Sequence, residues 1–179
     1  MTYIIVFAIV IVVPLIWWIA TGNKFKQLLV KISEAGAGID VALTKRYDTL
    51  SKLLDITNAY AKHEVETFEK IVNLRKSMTL SEKALFSEQL DHMRSRLNVV
   101  AENYPELKSS ENFKQLQVSA ADVEEHLQAA RRLYNANVSL LNQLVVSFPI
   151  SIVANSMKIS QQDFFAAEEA KKADVAMKF

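Results

Sequence analysis

The fold of this chain is decided by residues 1–21, which read MTYIIVFAIVIVVPLIWWIAT. Between Ile4 and Ala20 the sequence holds no charged, amide or hydroxyl side chain. A helix rises about 1.5 Å per residue, so this run covers most of a hydrocarbon core about 30 Å thick, and Tyr3 and Thr21 extend it. A helix in the core of a soluble domain normally keeps a polar face, which this run lacks. We therefore predict that residues 1–22 form a single transmembrane anchor.

The ends of the run carry residues typical of a membrane anchor. Trp17 and Trp18 lie at one end and Tyr3 at the other, where amphipathic aromatic rings prefer the headgroup zone. Pro14 is compatible with a transmembrane helix, because such helices tolerate a kink. A cleaved signal peptide is the alternative interpretation. Such a peptide has a basic segment before its apolar run and a small-residue cleavage site after it, and neither is present here.

Composition excludes several classes of function. The chain has 179 residues, and 21 Lys+Arg against 20 Asp+Glu give a formal net charge of +1. A nucleic-acid-binding protein usually has a basic excess that neutralises phosphates, so we expect no nucleic-acid partner. The absence of cysteine excludes disulfides, thiolate metal sites and cysteine nucleophiles. The residues beyond the anchor are sufficient for one domain with its own core.

The charges next to the apolar run predict its orientation. Lys24, Lys26 and Lys31 follow it closely, and only the α-amino group precedes it. By the positive-inside rule, the N-terminus is outside and the C-terminal domain is cytoplasmic, in a single-pass protein of the cell inner or plasma membrane. The lipid bilayer is thus the first expected partner.

The remaining residues have the apolar periodicity of long amphipathic helices. After a predicted break at Thr21-Gly22-Asn23, apolar residues recur at alternating spacings of three and four up to Leu74, which is typical of a helix that packs against others. This first helix has two weak places, at residues 34–38 and 47–51, where glycines or poor helix formers accumulate. Whether the helix is continuous or broken near Gly36 or Ser51 is left open by the sequence.

Two further helices complete a predicted bundle at residues 23–149. Thr79 or Ser81 can cap the second helix, and Glu82 completes a capping box with Thr79. Pro105 ends that helix, and a third helix runs from Ser109 or Ser110 to Pro149. Residues 150–179 are predicted to form a strap, a short helix that opens at residue 160, and a frayed tail. Period-two alternation is absent, so the fold class is all-α.

Several stretches of the chain resemble the LemA family of bacterial membrane proteins. The resemblance covers the following segments: IDVALTKRYDTLSKLL (39–54), AYAKHEVETFEKIVNLR (59–75), NYPELKSSENFKQLQ (103–117), ARRLYNANV (130–138), SFP (147–149) and DFFAAEE (163–169). It implies a single N-terminal transmembrane helix followed by a long antiparallel helical bundle of the four-helix type. Proteins of magnetosome membranes are related to this family, which suggests a role in organising membranes. The family has no established biochemical activity.

Two positions depart from the family pattern. Gly36-Ala37-Gly38 replaces an aromatic residue and a polar pair, and Ser51 replaces a proline. The small residues Gly36 and Gly38 are candidates for a close helix contact. Ser51 is expected to straighten the first helix.

Histidines and carboxylates raise the question of a metal site. His63, His92 and His126 fall on different predicted helices, and Glu88 and Asp122 each lie four residues before a histidine, on the same helix face. The histidines are expected at different heights beside the apolar stripes, so we predict no metal site. No phosphate-binding loop, nucleophile elbow or HExxH motif is present, and we expect neither a cofactor nor an enzymatic activity.

Polar residues at the helix seams suggest an interior network. Arg46 and Asn137 occupy seam positions of the first and third helices, where a polar residue fixes register and a buried arginine needs a partner. The alternative is that each side chain turns to the rim of the bundle and is solvated. The predicted network comprises Arg46, Asp48, Arg131, Arg132, Asn135 and Asn137.

These features together predict a non-enzymatic, membrane-anchored helical scaffold that self-associates as a homo-oligomer and organises the membrane or membrane proteins. The small-residue patch at residues 35–38 and the apolar segment 150–157 motivate the self-association. The alternative function is an accessory or sensor subunit of a membrane protease or transporter, with other membrane proteins as partners.

Overall fold

The computed structural model describes residues 2–60 and 78–165, and these ranges contain helices joined by non-helical segments and no strand. The helices are α1 (Thr2–Tyr60), α2 (Leu80–Asn103), α3 (Pro105–Ser109), α4 (Glu111–Val146) and α5 (Ile150–Ser156). The predicted all-α class is therefore confirmed, including the long apolar N-terminal helix and the helical bundle that follows it. The family segment 59–75 and the predicted frayed tail lie largely or wholly outside the described residues.

Helix α1 is continuous over its 59 residues, so the predicted break at Thr21-Gly22-Asn23 is wrong. It also runs through Pro14, Gly36 and Ser51. A glycine costs about 1 kcal/mol relative to alanine in a helix interior, and packing against neighbouring helices offsets a cost of that size.

Helix α2 begins and ends at the signals that the sequence provides. The Thr79 side chain accepts a hydrogen bond from the Glu82 backbone N–H, and the Glu82 carboxylate accepts one from the Thr79 N–H at 2.7 Å. This capping box satisfies backbone donors at the first turn of the helix. The helix ends at Asn103, and Pro105 opens α3 at the first helical position, where its missing N–H costs nothing.

The described residues divide into two compact units. The first contains residues 2–36 and 132–164, and the second contains residues 37–60, 78–131 and Phe165.

In the first unit, the part of α1 that follows the apolar run packs against the C-terminal part of α4 and against α5. Helix α5 leaves the direction of α4 at an angle of 99°. The short helix thus lies at Ile150–Ser156, whereas residues 160–165, where it was predicted to open, are not helical. The apolar side chains of 150–157 explain this position, because they complete a core formed by Phe25, Leu28, Ile32, Val138, Leu141, Val153 and Ala154.

In the second unit, the buried apolar residues lie on the stripes that the sequence predicts, at spacings of three, four or seven along each helix. Burial of each large side chain contributes roughly 1.5–3 kcal/mol. The rings of Tyr47 and Phe86 connect α1 with α2 at a centroid distance of 6.1 Å. The core includes Ile39, Leu43, Leu50 and Leu53 of α1, Phe86, Leu90, Met93 and Leu97 of α2, Leu107 of α3, and Phe113, Ala120 and Leu127 of α4.

The predicted domain boundaries, with an anchor at 1–22, a bundle at 23–149 and a C-terminal strap at 150–179, stay a prediction.

Candidate functional site

A buried arginine lies in the core of the second unit. Arg46 of α1 is only 2% exposed and is the largest of the fully buried side chains among the described residues. It reaches this position because it occupies the apolar seam of α1, four residues before Leu50 and three after Leu43, both of which are also buried. An unpaired guanidinium in such a place would cost several kcal/mol, so its partners decide whether the fold is stable.

Arg46 binds groups of two other helices. Its Nη1 donates hydrogen bonds to Ser87 of α2, at 3.0 Å to Oγ and 3.3 Å to the backbone carbonyl oxygen. Its Nη2 forms a charge-assisted hydrogen bond with Asp91 Oδ1, also on α2, and lies 2.8 Å from Glu124 Oε2 on α4. The guanidinium therefore connects α1, α2 and α4.

The two carboxylates have different contacts. Glu124 Oε2 forms a close ion pair with Arg46, but no N–H is aligned with it as a hydrogen bond requires, so the attraction is mainly coulombic. Glu124 Oε1 accepts a hydrogen bond from Gln128 Nε2 at 2.9 Å. The Asp91 side chain is 32% exposed and that of Glu124 is 22% exposed, so water reaches both partly.

A second arginine completes the cluster. Arg131 of α4 donates from Nη2 to Ser87 Oγ, which thus accepts hydrogen bonds from two guanidinium groups. The guanidinium of Arg131 also lies over the Phe165 ring, 4.9 Å from its centroid, which is a cation–π geometry. Two arginines and two carboxylates make the cluster electrically neutral. We name the set Arg46, Ser87, Asp91, Glu124 and Arg131 the arginine cluster.

The structure places the six residues of the predicted polar network in different surroundings. It brings Arg46 and Arg131 together through Ser87, whereas Asp48 and Arg132 are exposed. Asn135 and Asn137 are half-buried on the part of α4 that belongs to the first unit. Whether these six residues act as one network stays a prediction.

Sequence reasoning missed Ser87, Asp91 and Glu124. A signal was available for the first two, because Ser87 and Asp91 are four residues apart on one face of the second helix and directly follow the apolar residues Phe86 and Leu90. Glu124 had no comparable signal, since its approach to Arg46 depends on the register of α4 against α1.

The candidate helix contacts Gly36 and Gly38 both face α4. A Cβ added at Gly36 would lie 3.9 Å from Tyr134 Cε2, and one at Gly38 would lie 3.9 Å from the Ala130 Cβ. These are ordinary van der Waals distances. The two glycines therefore lie at helix contacts within this chain, at places where alanine also fits.

The first unit holds a tyrosine whose titration is shifted. Burial, and secondarily the negative charge of Asp163, raise the pKa of Tyr134 from its usual value of 10.0. Its hydroxyl donates to the backbone carbonyl of Asp163 at 3.4 Å. Nearby, the Asn142 amide exchanges two hydrogen bonds, each 2.9 Å long, with the backbone of Gln162. These contacts attach the segment after α5 to α4.

In residues 2–60 and 78–165, no group of three potential metal ligands occurs, so the described histidines do not meet at a metal-binding arrangement. His92 is 75% exposed, and its Nε2 lies 3.9 Å from Glu88 Oε1. His126 and Asp122 are exposed on α4, and His63 lies outside the described residues.

The predicted anchor residues all lie on the N-terminal part of α1. Tyr3 is 90% exposed, Trp17 and Trp18 are 37% and 39% exposed, and Pro14 lies within the helix. Every side chain described between Thr2 and Ala20 is exposed. Among the described helices, α1 taken alone is long and apolar enough to cross a membrane.

The fold and the arginine cluster define a class of protein: an all-α chain whose apolar N-terminal helix continues into a helical bundle that has a neutral cluster of charges in its interior. The LemA family model matches residues 35–179, and the chain belongs to the LemA family. The chain is also similar to Protein LemA of Metamycoplasma hominis, with 25% identity over 178 residues that cover 97% of this chain and 81% of that protein. The predicted family membership is thus confirmed. The family match begins after the apolar run.

Proposed function

We propose that this chain is a non-enzymatic scaffold that is anchored in a membrane by residues 1–22 and presents its helical bundle to other proteins at the membrane surface. The observation that carries the proposal is the N-terminal part of α1, where uninterrupted apolar residues are exposed. Exposure of these side chains to water costs about 25 cal/mol per Å² of apolar surface, and a lipid environment removes this cost.

The arginine cluster supports a structural rather than a catalytic role for the interior. Each carboxylate contacts a guanidinium group, and the Ser87 hydroxyl accepts two hydrogen bonds. A catalytic base or nucleophile needs a free lone pair directed at a substrate. The cluster is instead suited to hold α1, α2 and α4 in one register.

Fractionation of cells that express the full chain with a C-terminal tag tests the anchor. The tagged protein should stay in the membrane pellet after an alkaline carbonate wash and keep the mass of the uncleaved chain. A variant with Ile9→Arg and Val10→Arg should move towards the supernatant, because each arginine at the centre of a span costs roughly 2.5–3.5 kcal/mol. The matched variant Ile9→Leu with Val10→Leu should behave as the parent. A soluble protein shortened by about twenty residues would identify a cleaved signal peptide and refute the anchor.

The proposed orientation, with a cytoplasmic C-terminal domain, is tested separately. Because the chain has no cysteine, Ser95→Cys on the exposed face of α2 introduces a single thiol. In intact cells an impermeant maleimide should leave this thiol unmodified and should label it after lysis. Labelling before lysis would place the bundle outside.

Self-association belongs to the same proposal, but the structure gives a different role to the features from which the sequence predicts it. Gly36 and Gly38 contact α4, and α5 contributes Val153 and Ala154 to the core of the first unit, so these features are used within the chain. The apolar side chains Leu85 on α2 and Val118 on α4 are 60% and 63% exposed and are candidates for contacts between copies.

Oxidative crosslinking in native membranes tests for such contacts. Leu85→Cys or Val118→Cys should form disulfide-linked dimers, whereas His92→Cys, at a highly exposed polar position, should not. Light scattering of the detergent-solubilised chain should give a mass above that of the monomer. A monomer at every concentration, together with one stoichiometric foreign protein on co-purification, would instead favour an accessory subunit.

A further inference from the structure

The corner between α4 and α5 exposes apolar side chains that the bundle does not use. Phe148 is 83% exposed, Val146 is 65% exposed and Ile152 is 50% exposed. Backbone hydrogen bonds hold this corner: the Ser147 N–H donates to the carbonyls of Gln143 and Leu144, and the Ser151 N–H donates to Ser147 at 2.7 Å. The exposure of these side chains is therefore a property of an ordered turn, and we name Val146, Phe148 and Ile152 the apolar corner.

Contacts within the first unit place this corner beside the end of the apolar run. Gly36 of α1 faces Tyr134 of α4, and the two helices are antiparallel. Val146, the last residue of α4, follows Tyr134 by as many residues as Lys24 precedes Gly36, so the corner begins at the level of Lys24, close to Gly22. The contact between Gly22 and Met157, whose Sδ would lie 3.3 Å from an added Cβ, independently places the end of α5 at this level.

This level corresponds to the headgroup zone if α1 spans a bilayer. Gly22 follows Trp18 by about 6 Å of helix rise, and tryptophans mark the boundary between hydrocarbon and headgroups. The corner segment is itself apolar, since residues 144–154 read LVVSFPISIVA, but the 99° bend between α4 and α5 excludes a straight crossing. A bent apolar element at this depth can lie in the interface plane.

The charges around the corner are of one sign. Lys24, Lys26 and Lys158 are exposed, and residues 21–33 and 143–162 contain no aspartate or glutamate. Lysines near an anionic bilayer surface each contribute about 1 kcal/mol of attraction. The surface is therefore complementary to acidic lipid headgroups.

From these observations we infer that the apolar corner is a membrane-contact surface, which enters the headgroup layer of an anionic bilayer beside the N-terminal helix. The inference rests on the proposed anchor and goes beyond it, because it assigns a second lipid contact to the bundle itself. Two contacts would restrain the tilt of the first unit against the membrane more strongly than α1 would alone.

Site-directed spin labelling of the full chain tests this inference. Single cysteines are introduced by Phe148→Cys, Ile152→Cys, Val10→Cys and His92→Cys, and each labelled protein is reconstituted in vesicles of phosphatidylcholine and phosphatidylglycerol. Collision with oxygen, which concentrates in lipid, is compared with collision with a water-soluble nickel chelate. The oxygen-to-nickel ratio at residues 148 and 152 should exceed that at residue 92 several-fold and should lie below that at residue 10.

The four positions separate the possible failures. A lipid-like ratio at residue 10 with a water-like ratio at 148 and 152 would overturn the membrane contact and leave the anchor intact. A water-like ratio at residue 10 would refute the anchor and with it the inference. Protection of residue 148 from both reagents, with spin–spin broadening that disappears on dilution with unlabelled protein, would show that a second copy covers the corner and would also overturn the inference.

Discussion

Replacement of Arg46 by methionine is the sharpest test of the arginine cluster. Methionine keeps most of the aliphatic length of the side chain, so the change removes the charge and the hydrogen bonds while it creates little cavity. Arg46→Met deprives Ser87 of one donor and leaves Asp91 and Glu124 without their common guanidinium. The expected result is a large loss of stability without a change in helix content of the folded state.

The magnitude follows from the burial of the partners. Removal of one member of a buried ion pair costs roughly 3–5 kcal/mol. Because the side chains of Asp91 and Glu124 are 32% and 22% exposed, water relieves part of this cost, and we expect the lower end, about 3 kcal/mol. For a chain of this size, 1 kcal/mol corresponds to about 2–4 °C, so the Tm should fall by about 6–12 °C.

The assay is thermal and urea unfolding of the detergent-solubilised full chain, followed by far-ultraviolet circular dichroism. Lys45→Met is the matched control, since Lys45 is the preceding residue and is exposed. It should change the free energy of unfolding by less than about 0.5 kcal/mol. Arg46→Lys should give an intermediate loss, because an ammonium keeps the charge but lacks the planar fork that contacts two helices.

A double-mutant cycle decides whether charge pairing is the cause. Without the guanidinium of Arg46, the charge of Glu124 should destabilise the fold. The double variant Arg46→Met with Glu124→Gln should therefore lose at least about 1 kcal/mol less free energy of unfolding than the sum of the two single losses. Strict additivity of the two changes, or equal stability of Arg46→Met and Lys45→Met, would refute the reasoning.

Three further predictions concern local features. Gly36→Ala should raise the free energy of unfolding by about 0.5–1 kcal/mol, since the added Cβ meets only an ordinary contact. Gly22→Ala should raise it less, because its Cβ would crowd Met157. Equal gains of the two variants in urea unfolding would contradict this difference. Thr79→Ala should cost about 1 kcal/mol through loss of the capping box, measured in the same way. The pKa of Tyr134 in the folded chain is raised above 10.0. The stabilisation that the protonated tyrosine contributes to the fold is therefore complete below that pH and is lost as pH rises through the raised pKa. The parent should therefore lose stability more steeply than Tyr134→Phe above pH 10, and parallel pH profiles would contradict this.

Local signals were sufficient for the elements that depend on neighbouring residues. The capping box at Thr79 and the end of α2 before Pro105 are short-range hydrogen-bonding and steric effects, so they could be predicted from the sequence. The short helix α3, at Pro105–Ser109, was not predicted, since the sequence signals place the start of the next helix only at Ser109 or Ser110. The prediction of a break at Thr21-Gly22-Asn23 was wrong because it considered neighbouring residues alone. The local penalty is about 1 kcal/mol per glycine, and tertiary contacts that the sequence does not reveal, such as that of Gly22 with Met157, outweigh it.

By itself the sequence determined the all-α class, the apolar N-terminal helix, the buried stripes and the family, because each depends on composition or on periodicity along one helix. Arg46 was recognised as a seam residue for the same reason. Only the tertiary structure decided that its partners are Ser87, Asp91 and Glu124, and that Met157 at the end of α5 comes to the level of Gly22. Those facts depend on the register between helices distant in the chain, which is set by the packing of all their side chains together and by no single segment.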